Sequence, residues 1–131
     1  MTIVGYNQRM DIRIKSTDYE ITPEVSTYLN EKIGAIEKLL GSDAGLARVE
    51  IELGRDAGNQ RHGEHVWFAE INVGYPGGES IHVSNHESTV NAAIDMAKDE
   101  AVRQLRKSRR SHTRFIRKSG AMLKDLMRWG E

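Results

Sequence analysis

The chain has 131 residues, with 19 basic and 19 acidic side chains and a formal net charge of zero. This length supports one modest hydrophobic core, and the 38% hydrophobic and 29% charged residues are ordinary for a soluble globular domain. The absence of cysteine excludes disulfide bonds and thiolate metal sites. The sequence has neither an apolar run of membrane length nor a signal-peptide pattern, so we expect a cytoplasmic protein.

The first part of the chain has the pattern of a strand, a helix and a second strand. Apolar and polar residues alternate over residues 10–17, which predicts a strand with one buried face. Thr22-Pro23-Glu24 predicts a helix start, because a hydroxyl cap precedes a proline at the first helical position. Gly41 marks the end of that helix, and alternation over residues 47–53 predicts the second strand. The apolar stripe of the helix consists of Val25, Leu29, Ile33, Ile36 and Leu40.

Two more strands and a long helix are predicted after a polar, glycine-rich connection over residues 54–65. Alternation over 67–75 and 81–83, around the turn Pro76-Gly77-Gly78, predicts a hairpin. A helical period then begins near Ser88. The β-α-β-β-β-α order predicts an α+β two-layer sandwich, with a four-stranded mixed sheet and both helices on one face. We expect one domain over residues 10–118, with an unmatched leader at 1–9 and a short tail at 119–131.

The neutral total conceals a separation of charge along the chain. Residues 1–100 hold nine bases and seventeen acids, a net charge of −8. Residues 101–131 hold ten bases and two acids, a net charge of +8. This asymmetry indicates an electrostatic partner for the C-terminal part, and a polyanion is the obvious candidate.

The second predicted helix has two unlike sides on a helical wheel. Its apolar side consists of Val90, Ile94, Ala97, Ala101 and Leu105, and its opposite side of Arg103, Arg106, Lys107, Arg110, Arg114 and Arg117. We expect no acid to offset these aligned cations, which repel one another at spacings of three and four. A solvated helix end is the alternative. A phosphate backbone fits the pattern better, since arginine suits phosphate oxygens, and an anionic membrane fits it less well.

Three segments in this order resemble one known family. They are ITPEVSTYLNEKIGAIEKLL at 21–40, FAEINVGYPGGESIHVS at 68–84 and NAAIDMAKDEAVRQLRKSRR at 91–110. The chain thus resembles the short form of the ribosome hibernation-promoting factor and ribosome-associated translation inhibitor family, also called the sigma-54 modulation protein family. The resemblance covers roughly residues 10–110. Thr89, Asn91 and Glu100 depart from residues that are frequent in the family's second helix.

The resemblance implies a non-enzymatic protein that binds ribosomal RNA of the small ribosomal subunit near the decoding centre. Such a protein blocks transfer RNA and messenger RNA and inhibits translation in resting or stressed cells. It implies no cofactor, no metal, no small-molecule substrate and no membrane partner, and we expect a monomer off the ribosome. Positions that match the family's basic residues, together with neighbouring bases, make up the expected RNA-binding set: Arg103, Arg106, Lys107, Arg109, Arg110, Arg114 and Arg117.

Other interpretations remain open at this point. A stand-alone double-stranded RNA-binding module has a similar order of elements. A protein-interaction module, or an enzyme that uses the histidines, is a third hypothesis. The sequence favours surface imidazoles over a zinc site, because no cysteine accompanies the histidines and no carboxylate lies at ligand spacing from them. They are His62, His65, His82, His86 and His112. For the tail, we expect a fold-back or disordered segment, with RNA stacking through Trp129 as the alternative.

Overall fold

The structure is a computed structural model that describes residues 10–56 and 65–129, with side chains described as far as Arg110. The four strands form one sheet in the order β1-β2-β3-β4. β1 is parallel to β2, whereas β2, β3 and β4 are antiparallel neighbours. The predicted α+β class and mixed four-stranded sheet are therefore confirmed. The elements are β1 (Asp11–Thr17), α1 (Pro23–Leu40), a 3-10 helix (Gly41–Leu46), β2 (Arg48–Arg55), β3 (Trp67–Gly74), β4 (Ile81–Glu87) and α2 (Val90–Trp129).

One hydrophobic core lies between the sheet and the two helices. Strand residues of one parity point into it, including Val49 and Leu53, which are fully buried. All five residues of the predicted α1 stripe are buried in the same core. On α2, Ile94 and Leu105 are fully buried. Since the core draws on only one face of the strands, both helices cover the same face, as predicted.

Local capping explains where the helices begin. The Thr22 hydroxyl accepts a hydrogen bond from the Val25 backbone N–H at 3.2 Å, with Pro23 at the first helical position. The Thr89 hydroxyl likewise accepts one from the Ala92 N–H at 3.0 Å, at the start of α2. Gly41 follows α1 with a φ of 57°, a conformation that glycine adopts without strain.

A polar contact fixes α1 against α2. The Lys32 ammonium lies 3.3 Å from the Asp95 carboxylate. A hydrogen bond from Tyr28 to Asp95 raises the pKa of Tyr28 to about 12, with burial as the next cause, and lowers the pKa of Asp95. Lys32 also lies over the Tyr28 ring, 4.9 Å from its centroid. These contacts join the two helices at the rim of the core.

The helix α2 is longer than the sequence predicts. It continues through Gly120 to Trp129, so residues 119–129 prolong the helix and do not form a separate tail. Its 40 residues make a rod about 60 Å long at 1.5 Å per residue. The strands have seven or eight residues and span about 26 Å, so roughly half of α2 extends past the sheet. We call residues 111–129 the distal segment of α2.

Among the described elements, no helix covers the second face of the sheet, and this face is mainly polar. Its side chains include both positive and negative charges. One row across all four strands consists of Arg13, Glu50, Asn72 and His82. Phe68, on the same face, is buried beside Gly54. Within the described ranges, no helix combines the length and apolar character that crossing a membrane requires.

Candidate nucleic-acid interface

The outer face of α2 displays bases on the side opposite the core. Arg103, Arg106, Lys107 and Arg110 are exposed, while Leu105 between them is fully buried. The predicted two-sided helix is thus present as far as Arg110. Arg114 and Arg117 continue the helical backbone, and their side chains lie outside the described residues.

Arg103 is held by a carboxylate of its own helix. Its guanidinium donates to both oxygens of Glu100, at 2.9 and 2.5 Å, and Gln104 donates to Glu100 at 2.9 Å. The hydrogen bonds from Arg103 and Gln104 lower the pKa of Glu100 to about 2, and Glu100 raises the pKa of Arg103. The expectation that no acid offsets the basic face is therefore wrong at Arg103, because Glu100 lies one turn earlier on the helix.

Arg109 points toward the domain and not along the exposed face. Its guanidinium nitrogen lies 2.9 Å from a carboxylate oxygen of Asp43 in the 3-10 helix. The guanidinium carbon also lies 5.6 Å from the centre of the Tyr75 ring. Only 29% of the Arg109 side chain is exposed. Sequence patterns did not reveal this contact, because Asp43 and Arg109 are 66 positions apart.

Three bases remain available to a partner on the described part of the face. Among the residues whose side chains are described, no carboxylate lies within 4.0 Å of Arg106, Lys107 or Arg110. Arg106 and Arg110 are one helical turn apart, roughly 6 Å along the axis. This arrangement presents a compact cationic surface on a rigid support. We call these three residues the basic triad.

The described histidines are engaged in polar pairs at the sheet. His86 lies 2.8 Å from Asp56, His65 lies 3.8 Å from Glu87, and His82 bonds to Asn72. Over residues 10–56 and 65–110, no group of three histidine or acidic side chains is placed to hold a metal ion. His62 and the side chain of His112 lie outside the described residues.

The fold and its exposed bases define an α+β sandwich with a cationic outer helix, and comparison with known families gives the particular family. Residues 12–113 match the family described as sigma 54 modulation protein / S30EA ribosomal protein. The chain belongs to this family, which confirms the resemblance found in the sequence. It is a family of ribosome-associated factors and not of enzymes. No curated protein sequence matches the chain at a significant level.

Solved structures share the fold at low sequence identity. The N-terminal domain of Thermus thermophilus Protein Y is 23% identical, with a TM-score of 0.61, over 75% of this chain and 98% of that domain. A ribosomal subunit interface protein from Coxiella burnetii is 15% identical, with a TM-score of 0.59, over 75% of this chain and 96% of that protein. At these identities the likeness shows the common fold.

Proposed function

We propose that the protein is a ribosome hibernation factor that binds the small ribosomal subunit near the decoding centre. There it blocks transfer RNA and messenger RNA and so inhibits translation in the cytoplasm of resting or stressed cells. Membership of a ribosome-associated family supports the class of partner. The observation that carries the RNA contact is the exposed basic triad, which has no carboxylate partner among the described side chains.

The mechanism is steric exclusion with electrostatic attraction, and it needs no bond-making chemistry. The guanidinium groups of Arg106 and Arg110 offer forked donors to phosphate oxygens, and the Lys107 ammonium adds a point charge. Leu105 anchors this turn in the core and keeps its backbone fixed, so little conformational freedom is lost when RNA binds. The length of α2 lets its distal segment reach beyond the domain along a groove of the subunit.

The first experiment asks which particle binds the protein and what competes with it. The full chain is sedimented with purified small subunits, large subunits and a plain RNA duplex at equal concentration. We expect binding to small subunits only, and loss of that binding when messenger RNA and transfer RNA are bound beforehand. Undiminished binding to occupied subunits would overturn the blocking mechanism. Equal affinity for the plain duplex would favour the double-stranded RNA-binding module instead.

A second experiment tests the physiological state. Lysates of growing and stationary-phase cells are separated on density gradients, and the protein is detected in each fraction. We expect it to accompany small subunits and whole ribosomes chiefly in stationary phase. Its absence from ribosomal fractions in both states would contradict the proposal.

A further inference from the structure

Four side chains from three parts of the fold meet where α2 leaves the sheet. Leu105 is the last α2 residue in the described core, and the next turn carries Ser108 and Arg109. Both of these residues contact groups outside their own helix. Ser108 meets the hydroxyl of Tyr75 after β3, and Arg109 meets Asp43 in the 3-10 helix. We call Asp43, Tyr75, Ser108 and Arg109 the exit cluster.

The Tyr75 ring forms the centre of the exit cluster. Tyr75 is 7% exposed, and its hydroxyl lies 2.7 Å from the Ser108 hydroxyl. A side chain at Gly78 would collide with the ring, so the turn after β3 closes directly over it. The Arg109 guanidinium lies on the ring and reaches Asp43 beyond it. The ring and the carboxylate together restrict the planar guanidinium to one orientation.

These contacts affect the orientation of α2 more than the stability of the fold. Asp43 and Arg109 are 38% and 29% exposed, so solvent screens their attraction and the pair adds little to stability. Contacts from one helical turn to two separate elements instead oppose rotation and tilting of α2 at its exit point. The part of α2 from Arg110 to Trp129 is about 30 Å long, so a tilt of about 10° displaces its end by about 5 Å. That displacement exceeds the length of a hydrogen bond.

We propose that Arg109 is a positioning residue, and that the exit cluster fixes the direction in which the distal segment of α2 leaves the domain. Arg109 does not itself bind RNA, which revises its place in the RNA-binding set expected from the sequence. This inference rests on the proposed function, in which the distal segment of α2 brings Arg114 and Arg117 to the ribosome. Arg103, Arg106 and Lys107 precede the exit cluster on α2 and flank the fully buried Leu105.

The substitution Asp43→Asn distinguishes the two possible roles of Arg109, positioning of α2 or RNA contact, because the two roles predict opposite changes in ribosome affinity. If Arg109 were an RNA contact held back by Asp43, removing that carboxylate would strengthen ribosome binding. If Arg109 positions the helix, the same substitution weakens binding, by about eightfold at 0.1 M salt for each distal phosphate contact that is lost. We expect weaker binding and a smaller salt dependence. Equal or tighter binding by Asp43→Asn would overturn the inference.

Glu100→Gln is the matched control, because it also removes a carboxylate that holds an α2 arginine. The Glu100–Arg103 pair lies within one helix and cannot aim the distal segment. We therefore expect this variant to bind small subunits at least as tightly as the original chain. Weakening by both substitutions alike would refute a special role of the exit cluster. Unfolding curves of both variants establish that each is folded.

A distance measurement tests the same inference without the ribosome. The chain has no cysteine, so spin labels can be placed at Glu50→Cys on the open sheet face and Lys124→Cys on the distal segment. Asp43→Asn is expected to broaden the distribution of distances between the two labels. An unchanged distribution overturns the positioning role. If the full chain binds no ribosomal particle while the distribution broadens, the proposed function fails and the structural role of the exit cluster is upheld.

Discussion

Neutralising the basic triad is the sharpest test of the proposed RNA contact. The perturbation replaces Arg106, Lys107 and Arg110 together by glutamine. These side chains are exposed and have no carboxylate partner among the described residues, so the free energy of unfolding should change by less than about 0.5 kcal/mol. Each phosphate contact contributes about 0.9 to the slope of log affinity against log salt, so three contacts contribute about 2.7. At 0.1 M salt this predicts about 500-fold weaker binding.

The assay is fluorescence anisotropy of labelled protein with purified small subunits at several salt concentrations. The matched control replaces Arg13, Lys15 and Arg48 by glutamine, which removes the same charge from the open face of the sheet. We expect the control to keep the original salt slope, with only a small loss of affinity from the change in net charge. The reasoning is refuted if the two triple variants weaken binding equally, or if the slope of the α2 variant is unchanged.

Two further predictions concern single positions. Gly78→Ala should lower the free energy of unfolding by about 1–3 kcal/mol, because the added methyl group collides with the Tyr75 ring. Gly34→Ala should raise it by about 0.5–1 kcal/mol, because no atom lies within 4 Å of the added methyl group. Urea denaturation that ranks the stabilities of the two variants the other way would contradict this reasoning. By NMR, the Glu100 carboxyl should titrate near pH 2 in the original chain and closer to its ordinary pKa of 4.5 in Arg103→Gln. Because the pKa is lowered in the folded state, the contribution of Glu100 to stability is present above pH 4.5 and is lost as the pH falls toward 2. A titration midpoint near 4.5 in the original chain would show that the Glu100–Arg103 pair is absent in solution.

The sequence predicts those features that depend on neighbouring residues. The cap at Thr22 and Pro23 places the start of α1, and the spacing of its apolar residues predicts the buried side, because one helical turn brings those residues together. The strands follow from alternation, and the antiparallel pairing of β3 with β4 follows from the short turn between them. The exposed positions of Arg106, Lys107 and Arg110 are predicted equally well, since the core fixes the opposite side of α2.

Features that depend on distant partners were not predictable in this way. The position of Arg109 depends on Asp43 and Tyr75, and no local pattern links these residues. The sequence predicts a separate tail from residue 119, whereas α2 continues through Gly120 to Trp129. A single glycine costs a helix only about 1 kcal/mol, so good helix-forming neighbours continue past it. The Glu100–Arg103 pair does have a local signal, because its spacing of three places the two side chains next to each other on the helix surface.

The helix α2 supplies core residues on one side and exposed bases on the other, so folding of the domain and formation of the basic face are coupled. This helix follows every other described element along the chain, so it is synthesised after them. Until α2 docks, the apolar face of the β3–β4 hairpin is exposed to solvent, and the basic residues of α2 are not held along one side of a packed helix. A nascent chain therefore completes its hydrophobic core and aligns its basic residues on one rigid helix face in the same event. An incomplete copy that ends before α2 would therefore lack both.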